Sequence, residues 1–132
     1  MDIKARRIII IGATGFIGKA VCRLLVENNY EVVVLSRSLE KGKEIFGDRV
    51  TIVKWDSKTS RGWENSANGA FAIINLAGEN LATGRWTKRK KQSILDSRLN
   101  AGNAVVEAVK SAVEKPKVLI QASAIGYYGS RQ

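Results

Sequence analysis

Three glycines at three-residue spacing, Gly12, Gly15 and Gly18, are the strongest indication of chemistry in this sequence. An apolar run precedes them and a stretch with helical periodicity follows, beginning at Phe16. In such a loop the first glycine allows a sharp turn, the second lets a phosphate approach the backbone, and the third lets the helix pack closely on the strand. Free amides at the start of the helix also favour phosphates. The pattern predicts a dinucleotide site; the alternative is a tight turn without a ligand.

The residues after the second apolar run indicate which dinucleotide this site prefers. Proteins that bind NAD usually place Asp or Glu there, against the ribose 2′-hydroxyl. This sequence has Ser36, Arg37 and Ser38 instead. Arg37 can donate charge-assisted hydrogen bonds to a 2′-phosphate, and Ser36 can add a hydroxyl donor. We therefore expect NADP(H); the alternative is that Arg37 is an ordinary surface arginine.

Two further strand ends carry candidate cofactor contacts. Asp56 directly follows the third apolar run, where a side chain could meet the adenine edge or could equally cap a turn. The fourth run ends in Asn75, Leu76, Ala77 and Gly78, whose small residues would let the backbone pass beneath the cofactor ribose. The alternative is that these residues only end the strand and begin a turn.

The elements that must position these residues alternate along the chain. Predicted strands cover residues 7–11, 32–35, 50–55, 71–76 and 117–122, and predicted helices cover 16–28, 39–46 and about 87–113, with 57–69 as loop or irregular helix. The strands are continuously apolar, which indicates burial on both faces and hence a parallel sheet between helices. We expect an α/β, doubly wound Rossmann fold with strand order 3-2-1-4-5.

The apolar periodicity also predicts which faces of the helices are buried. For the first helix the expected residues are Ile17, Ala20, Val21, Leu24 and Leu25. For the long helix they are Ile94, Leu95, Leu99, Gly102, Val105, Val106, Val109 and Val113.

Composition limits the class of protein. The chain has 132 residues, 45% of them hydrophobic and 26% charged, which suits one globular domain over residues 1–132. With no histidine and one cysteine, Cys22, we expect no zinc site and no imidazole catalysis. No apolar stretch reaches the roughly 20 residues of a membrane span, and no signal peptide is evident. These features favour the cytoplasm and no membrane partner.

The formal net charge of +10 raises the question of nucleic-acid binding. The basic residues are spread along the chain except for one run, residues 88–91 (KRKK). We interpret that run as the exposed start of a helix and expect no nucleic-acid partner. A salt-dependent DNA complex that required these four residues would overturn this interpretation.

The motifs together resemble a known family. Residues 12–18 (GATGFIG) and 75–78 (NLAG) resemble the extended and atypical short-chain dehydrogenase/reductases. Residues 75–81 (NLAGENL), 97–98 (SR) and 123–129 (SAIGYYG) are more specific and are similar to the epimerase family, in its sugar nucleotide epimerase-like subgroup. The resemblance covers essentially the whole chain.

The resemblance implies an NADP(H) site and assigns residues to it. The implied cofactor contacts are Gly12, Thr14, Gly15, Phe16, Ile17, Ser36, Arg37, Leu76, Ala77 and Gly78. Arg98 falls near the position where most extended members carry an asparagine, and its guanidinium could reach the cofactor ribose or phosphates or lie on the helix surface.

The resemblance also implies that catalysis depends on residues outside this sequence. In the family, a Tyr-x-x-x-Lys pair after the fifth strand supplies the general acid/base, and it falls beyond Gln132. Ser123 is the candidate catalytic serine, but an ungapped alignment of Tyr128-Gly129 puts Ala124 at that place instead. We expect this chain to be the N-terminal part of a longer fold, without its substrate-binding part and inactive alone.

Two functions remain open from the sequence. The first is an NADP(H)-dependent oxidoreductase or epimerase-like enzyme of unknown small-molecule substrate. The second is a non-catalytic NADP(H)-binding protein that senses the cofactor and acts through a partner. We also expect an exposed sheet edge after the fifth strand, through which the 132-residue chain would self-associate.

Overall fold

The computed structural model describes residues 6–77 and 87–122 as five strands and four helices in alternation. The strands are β1 (Arg7–Ile11), β2 (Glu31–Ser36), β3 (Thr51–Lys54), β4 (Ala72–Asn75) and β5 (Val118–Gln121). The helices are α1 (Phe16–Glu27), α2 (Leu39–Phe46), α3 (Glu64–Ala67) and α4 (Lys88–Ser111), with a 3-10 turn at Gly47–Arg49. The predicted elements are confirmed to within one or two residues at their ends, and the polar stretch 57–69 contains only the single turn α3.

The five strands form one parallel sheet in the order β3-β2-β1-β4-β5, which confirms the predicted topology. Ile11 at the end of β1 is level with Leu35 in β2 and with Asn75 in β4. The carboxyl ends of these strands therefore lie along one edge of the sheet. The chain reverses its direction of winding between β1 and β4, the place where open α/β sheets bind ligands.

Alternate residues of each central strand contribute to two separate cores. Ile9 and Ile11 of β1 pack with Trp63 and the alanines of α4 on one face. Ile8 and Ile10 pack with Cys22 of α1 on the other. Burial on both faces explains why β1 is apolar at every position from Ile8 to Ile11.

The helix faces differ from the sequence prediction. On α4 the buried residues are Ile94, Ala101, Ala104, Val105 and Ala108. Leu95, Leu99 and Val106, predicted to be buried, are about half exposed, and Val113 is 92% exposed beyond the helix. Small alanines let the helix backbone lie close to the sheet, so the larger side chains point away from it.

The same difference occurs on α1. Gly18 and Cys22 face the sheet, with Val21 and Leu25 partly buried beside them. Ile17, Ala20 and Leu24, which belong to the apolar periodicity that predicted this helix, are exposed. Gly18 lets the backbone of α1 approach the backbone of Gly12 and Ala13 closely, and this contact fixes the rotation of the helix about its axis.

Candidate functional site

The parallel register brings most of the predicted site residues to the carboxyl edge of the sheet. Residues 12–17 follow β1, Arg37 follows β2, and Leu76 and Ala77 follow β4. Asp56 lies two residues beyond β3. The four segments therefore lie along the carboxyl edge, and those that follow β1 and β4 border the crevice at the strand reversal.

Gly12 and Gly18 are required by packing within the chain. Gly12 has φ +81°, and a Cβ on it would lie 2.7 Å from the carbonyl carbon of Leu76. A Cβ on Gly18 would lie 2.5 Å from the carbonyl oxygen of Gly12 and 2.6 Å from the Cα of Ala13. The loop is thus pressed between the end of β4 and the start of α1, which fixes its path.

Gly15 is different, because no residue that the structure describes requires a glycine there. Its φ is −72° and ψ is 172°, an ordinary extended conformation. A Cβ would meet only the carbonyl oxygen of Gly12, at 3.7 Å. The fold therefore leaves space above Gly15 that a Cβ would fill, as expected where a ligand approaches the backbone.

The start of α1 is suited to an anion. Gly15 caps the helix without a side-chain hydrogen bond, and the first turn carries no acidic residue. A 12-residue helix places partial positive charge at its first amides. Thr14 is exposed at the tip of the loop, and Phe16 and Ile17 are 92% and 65% exposed beside it. Two large apolar side chains are thus exposed at the two positions that follow Gly15 in the chain.

The end of β2 is held by its serines. The Ser36 hydroxyl is buried and donates to the carbonyl oxygen of Ser38 at 2.8 Å, while it accepts from the Ser38 amide at 3.2 Å. Ser38 in turn caps α2, because its hydroxyl accepts from the Lys41 amide at 3.3 Å. Ser36 thus uses its one hydroxyl hydrogen within the turn, whereas Arg37 between the two serines is exposed.

Asp56 caps a turn in this structure. Its Oδ1 accepts from the amides of Lys58 and Thr59 at 2.8 and 2.7 Å, and its Oδ2 accepts from the Thr59 hydroxyl at 2.7 Å. The Thr59 hydroxyl and amide, followed by the Lys58 amide, lower the pKa of Asp56 to about 2. The capping alternative is therefore realised, and the adenine contact stays a prediction.

The segment after β4 is shaped by a residue whose role the sequence prediction missed. Asn75 is buried, and its side-chain oxygen accepts from the Ala77 amide at 3.0 Å, while the Leu76 amide donates to Ile11 at 2.8 Å. These bonds hold the β4 end against the end of β1. An Asn at the end of a strand is a known turn former, so the residue type itself was the available signal.

Arg98 carries a polar atom that the described residues leave unpaired. Its Nε is buried and has no hydrogen-bond partner among the described residues. No other buried side-chain nitrogen or oxygen of those residues lacks one. Arg98 lies in the first half of α4, the helix that follows β4. A buried donor without a partner costs about 1–3 kcal/mol, so a ligand that accepted from it would recover that cost.

Some of the predicted residues lie outside the described ranges, and the basic run forms an ordinary helix start. Gly78 and Ser123, with Ala124, fall outside the described ranges. The basic run 88–91 forms the first turn of α4, capped by the Thr87 hydroxyl, which accepts from the Lys90 amide at 3.1 Å. Over residues 6–77 and 87–122 there is no cluster of three or more potential metal ligands. In the same ranges no helix is long and apolar enough to cross a membrane.

The sheet order, the glycine loop and the crevice at the strand reversal define a Rossmann-type dinucleotide-binding domain. A profile of the NAD dependent epimerase/dehydratase family matches residues 8–132, and the chain belongs to this family. The resemblance seen in the sequence is thereby confirmed.

Named relatives and a solved structure agree with this assignment. Epimerase family protein YfhF of Bacillus subtilis is 39% identical over 119 residues, which cover 90% of this chain and 38% of that protein. The chloroplastic epimerase family protein SDR39U1 homolog of Arabidopsis thaliana is 34% identical over 128 residues, covering 93% and 35%. The crystal structure of human epimerase family protein SDR39U1 (isoform 2) with NADPH is similar at a TM-score of 0.69 and 28% identity, over 92% of this chain and 38% of that one. The chain thus spans less than two fifths of the length of these relatives.

Proposed function

We propose that this chain is the NADP(H)-binding region of an oxidoreductase or epimerase-like enzyme of the family. The loop from Gly12 to Ile17 would hold the pyrophosphate, Arg37 the 2′-phosphate, and the segment from Leu76 to Gly78 the ribose. Support comes from the geometry of the carboxyl edge and from the NADPH bound to the similar human protein.

The observation that carries the proposal is the contrast among the three glycines. Internal packing accounts for Gly12 and Gly18, but residues 6–77 and 87–122 leave the space above Gly15 unfilled. A pyrophosphate fits this space because it needs close backbone approach, free amides and the positive end of a helix. All three are present where α1 begins.

The preference for NADP(H) over NAD(H) rests on Arg37. No acidic residue stands at the end of β2, and the side chain of Arg37 is exposed at the carboxyl edge. Its guanidinium can donate two parallel bonds to a phosphate, an arrangement that a ribose hydroxyl cannot use. The Ser36 hydroxyl donates its hydrogen to the Ser38 carbonyl oxygen and so shapes the turn. We therefore assign the discrimination between NADP(H) and NAD(H) mainly to Arg37.

The bound nicotinamide cofactor would supply hydride transfer, and the protein would bind and orient it. Asp56 would lie near the adenine, and Arg98 would donate through Nε to a ribose or phosphate oxygen. Ser123 would lie at the reacting end, with the substrate a small molecule held by parts of a longer chain. We place this activity in the cytoplasm, in keeping with the single thiol, Cys22.

Calorimetric titration of the full-length protein with NADPH and NADH tests the proposal. We expect NADPH to bind more tightly than NADH, and Arg37→Ala to remove most of that difference while leaving NADH binding nearly unchanged. Lys117→Ala is a charge-matched control at the opposite, amino edge of the sheet. Equal affinity for the two cofactors, or an equal loss for both in Arg37→Ala, would contradict the assignment.

A further inference from the structure

A second cleft lies on the outer face of the domain, between α1 and the segment that joins α2 to β3. Its volume is about 170 Å³. Cys22 and Val26 contribute from α1, and Ile45, Phe46 and Val50 contribute from the opposite wall. Every one of these five side chains is apolar or a thiol, so the floor of the cleft offers no strong hydrogen bond. An apolar cavity of similar size, about 150 Å³, can hold one benzene ring.

The charged residues of the same cleft all have one sign. Lys19, Arg23 and Arg49 line it together with the apolar floor, and no acidic residue does. Within the described residues these three cations make no ion pair, and none donates a side-chain hydrogen bond. The acidic neighbours along the chain are Glu27, one turn after Arg23 on α1, and Glu44 and Asp48 on the opposite wall; all three are exposed and none lines the cleft. An anionic group at the rim would therefore meet three cations that the described part of the chain leaves without an ion pair.

We propose that this cleft binds a small aromatic carboxylic acid. The ring would lie on the floor formed by Cys22, Val26 and Phe46, and the carboxylate would lie at the rim among the three cations. Apolar burial alone would accept any small apolar molecule, and charge alone would accept any anion. The two features together select a molecule that has both, of about the size of benzoate.

Most of the cleft lies away from the proposed cofactor site. Arg49 and Val50 precede β3 and so lie toward the amino edge of the sheet, opposite the glycine loop. Lys19 is the exception, because it lies in the first turn of α1 and its amide donates to the Gly15 carbonyl oxygen at 3.0 Å. The proposal does not rest on NADP(H) binding. Benzoate binding should persist when NADPH is present at saturation, and displacement of benzoate by NADPH would show that benzoate had instead entered the cofactor site.

Cys22 provides a reporter on the floor of the cleft. It is a free, buried thiol, and burial raises its pKa to about 11. In the full-length protein we would measure how fast neutral N-ethylmaleimide modifies Cys22, by mass spectrometry of the peptide that contains it. We expect benzoate to slow this reaction saturably, with much weaker protection by acetate, which lacks the ring, and by benzyl alcohol, which lacks the charge.

Variants then distinguish benzoate binding in the cleft from a general effect of positive charge on the protein surface. Arg23→Gln and Arg49→Gln should each raise the half-protecting benzoate concentration about 1.5- to fivefold, which is the range for an exposed ion pair, and the double variant should raise it further. Ile45→Ala, which removes part of the apolar wall, should also weaken protection. Arg61→Gln is the matched control, an exposed arginine outside the cleft, and should have no effect.

A second measurement covers the case in which Cys22 reacts too slowly to follow. The fluorine NMR signal of 4-fluorobenzoate should broaden on adding the protein, and the broadening should fall in the Arg23→Gln/Arg49→Gln double variant. Equal protection by acetate or benzyl alcohol would overturn the proposal. So would an unchanged benzoate response in the double variant, or the absence of any effect in both measurements.

Discussion

The backbone of Gly12 lies directly against the backbone of Leu76, so closely that a Cβ on the glycine would be 2.7 Å from both the carbonyl carbon and the carbonyl oxygen of Leu76. This contact joins the loop after β1 to the end of β4, the two segments that border the crevice at the strand reversal. The same loop contains Gly15, where a Cβ would meet no atom of the described residues closer than 3.7 Å. The two glycines therefore separate a requirement of folding from the proposed requirement of binding.

The first prediction compares alanine at these two positions. Gly12→Ala should lower the free energy of unfolding by about 1–3 kcal/mol from its positive φ alone, with the clash against Leu76 adding to that. Gly15→Ala should change stability by less than about 1 kcal/mol, because a less favourable helix cap is offset by reduced freedom of the unfolded chain. Chemical denaturation of both variants measures this difference.

Gly15→Ala also gives a prediction for NADPH binding. Gly15→Ala should fold normally yet bind NADPH at least about tenfold more weakly, since its methyl group occupies the space proposed for the pyrophosphate. Wild-type affinity in Gly15→Ala would contradict the phosphate site and leave the loop as a turn. Thr51→Ala, at an exposed position where β3 begins on the opposite, amino edge of the sheet, controls for a general effect of substitution.

The second prediction concerns the unpaired Nε of Arg98. Arg98→Met keeps much of the apolar stem and removes the buried donor, so the unliganded protein should become more stable by about 1 kcal/mol. NADPH binding should weaken at the same time, and Arg98→Lys should not restore it because lysine has no donor at the Nε position. Thermal unfolding with and without NADPH measures both effects.

If Arg98 were only a helix-surface residue, Arg98→Met would leave NADPH affinity unchanged. Arg61→Met provides the comparison, since Arg61 is exposed in the loop after β3. A loss of affinity in both variants would indicate a general effect of net charge on an anionic cofactor. Only a loss confined to Arg98 supports a direct contact.

The third prediction follows from the turn that Asp56 caps. Hydrogen bonds from Thr59 and Lys58 lower the pKa of Asp56 to about 2, below its usual value near 4. A lowered folded-state pKa means that the stabilisation is complete above the unfolded-state value and is lost as the pH falls toward 2. The melting temperature of wild type should therefore fall more between pH 5 and 2 than that of Asp56→Asn.

Other carboxylates also titrate in this range, so the comparison needs a control. Glu107 is one of them, since the Ser60 hydroxyl and amide lower its pKa as well. Asp48→Asn removes an exposed acid at the 3-10 turn and should leave the acid sensitivity close to that of wild type. An identical pH profile for wild type and Asp56→Asn would show that the cap contributes little in solution.

The sheet was predictable because its signal is strong in the sequence. Residues buried on both faces leave continuous apolar runs, and these runs alternate with helices, so the rule of right-handed crossovers predicted the strand order. The face of α4 was not predictable in the same way. Leu95 and Leu99 dominate a hydropathy pattern, but Ala101, Ala104 and Ala108 permit the closer approach of helix to sheet, and that approach decides the packing.

The candidate site shows a similar division. Gly12, Gly15 and Gly18 could be identified from spacing, because the strand–turn–helix context is local in the chain. The use of both Asp56 oxygens by its own turn, and the bond from the Ala77 amide to Asn75, depend on how side chains compete for nearby backbone amides. A sequence contains the residue types for several such arrangements and does not show which one forms.

The fourth prediction tests the observed face of α4. Ala104 is fully buried against the sheet, so Ala104→Leu should overpack that core and lower the free energy of unfolding by about 1–3 kcal/mol. Leu99 is 54% exposed, and Leu99→Ala should change stability by only about 0.5 kcal/mol. The face predicted from hydropathy would give the reverse order, so urea denaturation of the two variants distinguishes the packings.

The fifth prediction concerns the edge of the sheet at β5. This strand is the last in the sheet order, and its apolar residues Val118, Leu119 and Ile120 are 38%, 52% and 49% exposed. Exposed apolar edge strands favour pairing with another chain. We expect the 132-residue chain to associate with itself as its concentration rises, measured by sedimentation velocity.

A charge on this edge should suppress the association, because a lysine blocks pairing between edge strands. Leu119→Lys should therefore shift the chain toward monomer. Val113→Lys adds the same charge at a residue that is 92% exposed and lies before β5, so it should leave the association unchanged. A wild-type chain that sediments as a monomer at every concentration would contradict the edge pairing, and an equal shift in both variants would attribute the effect to net charge.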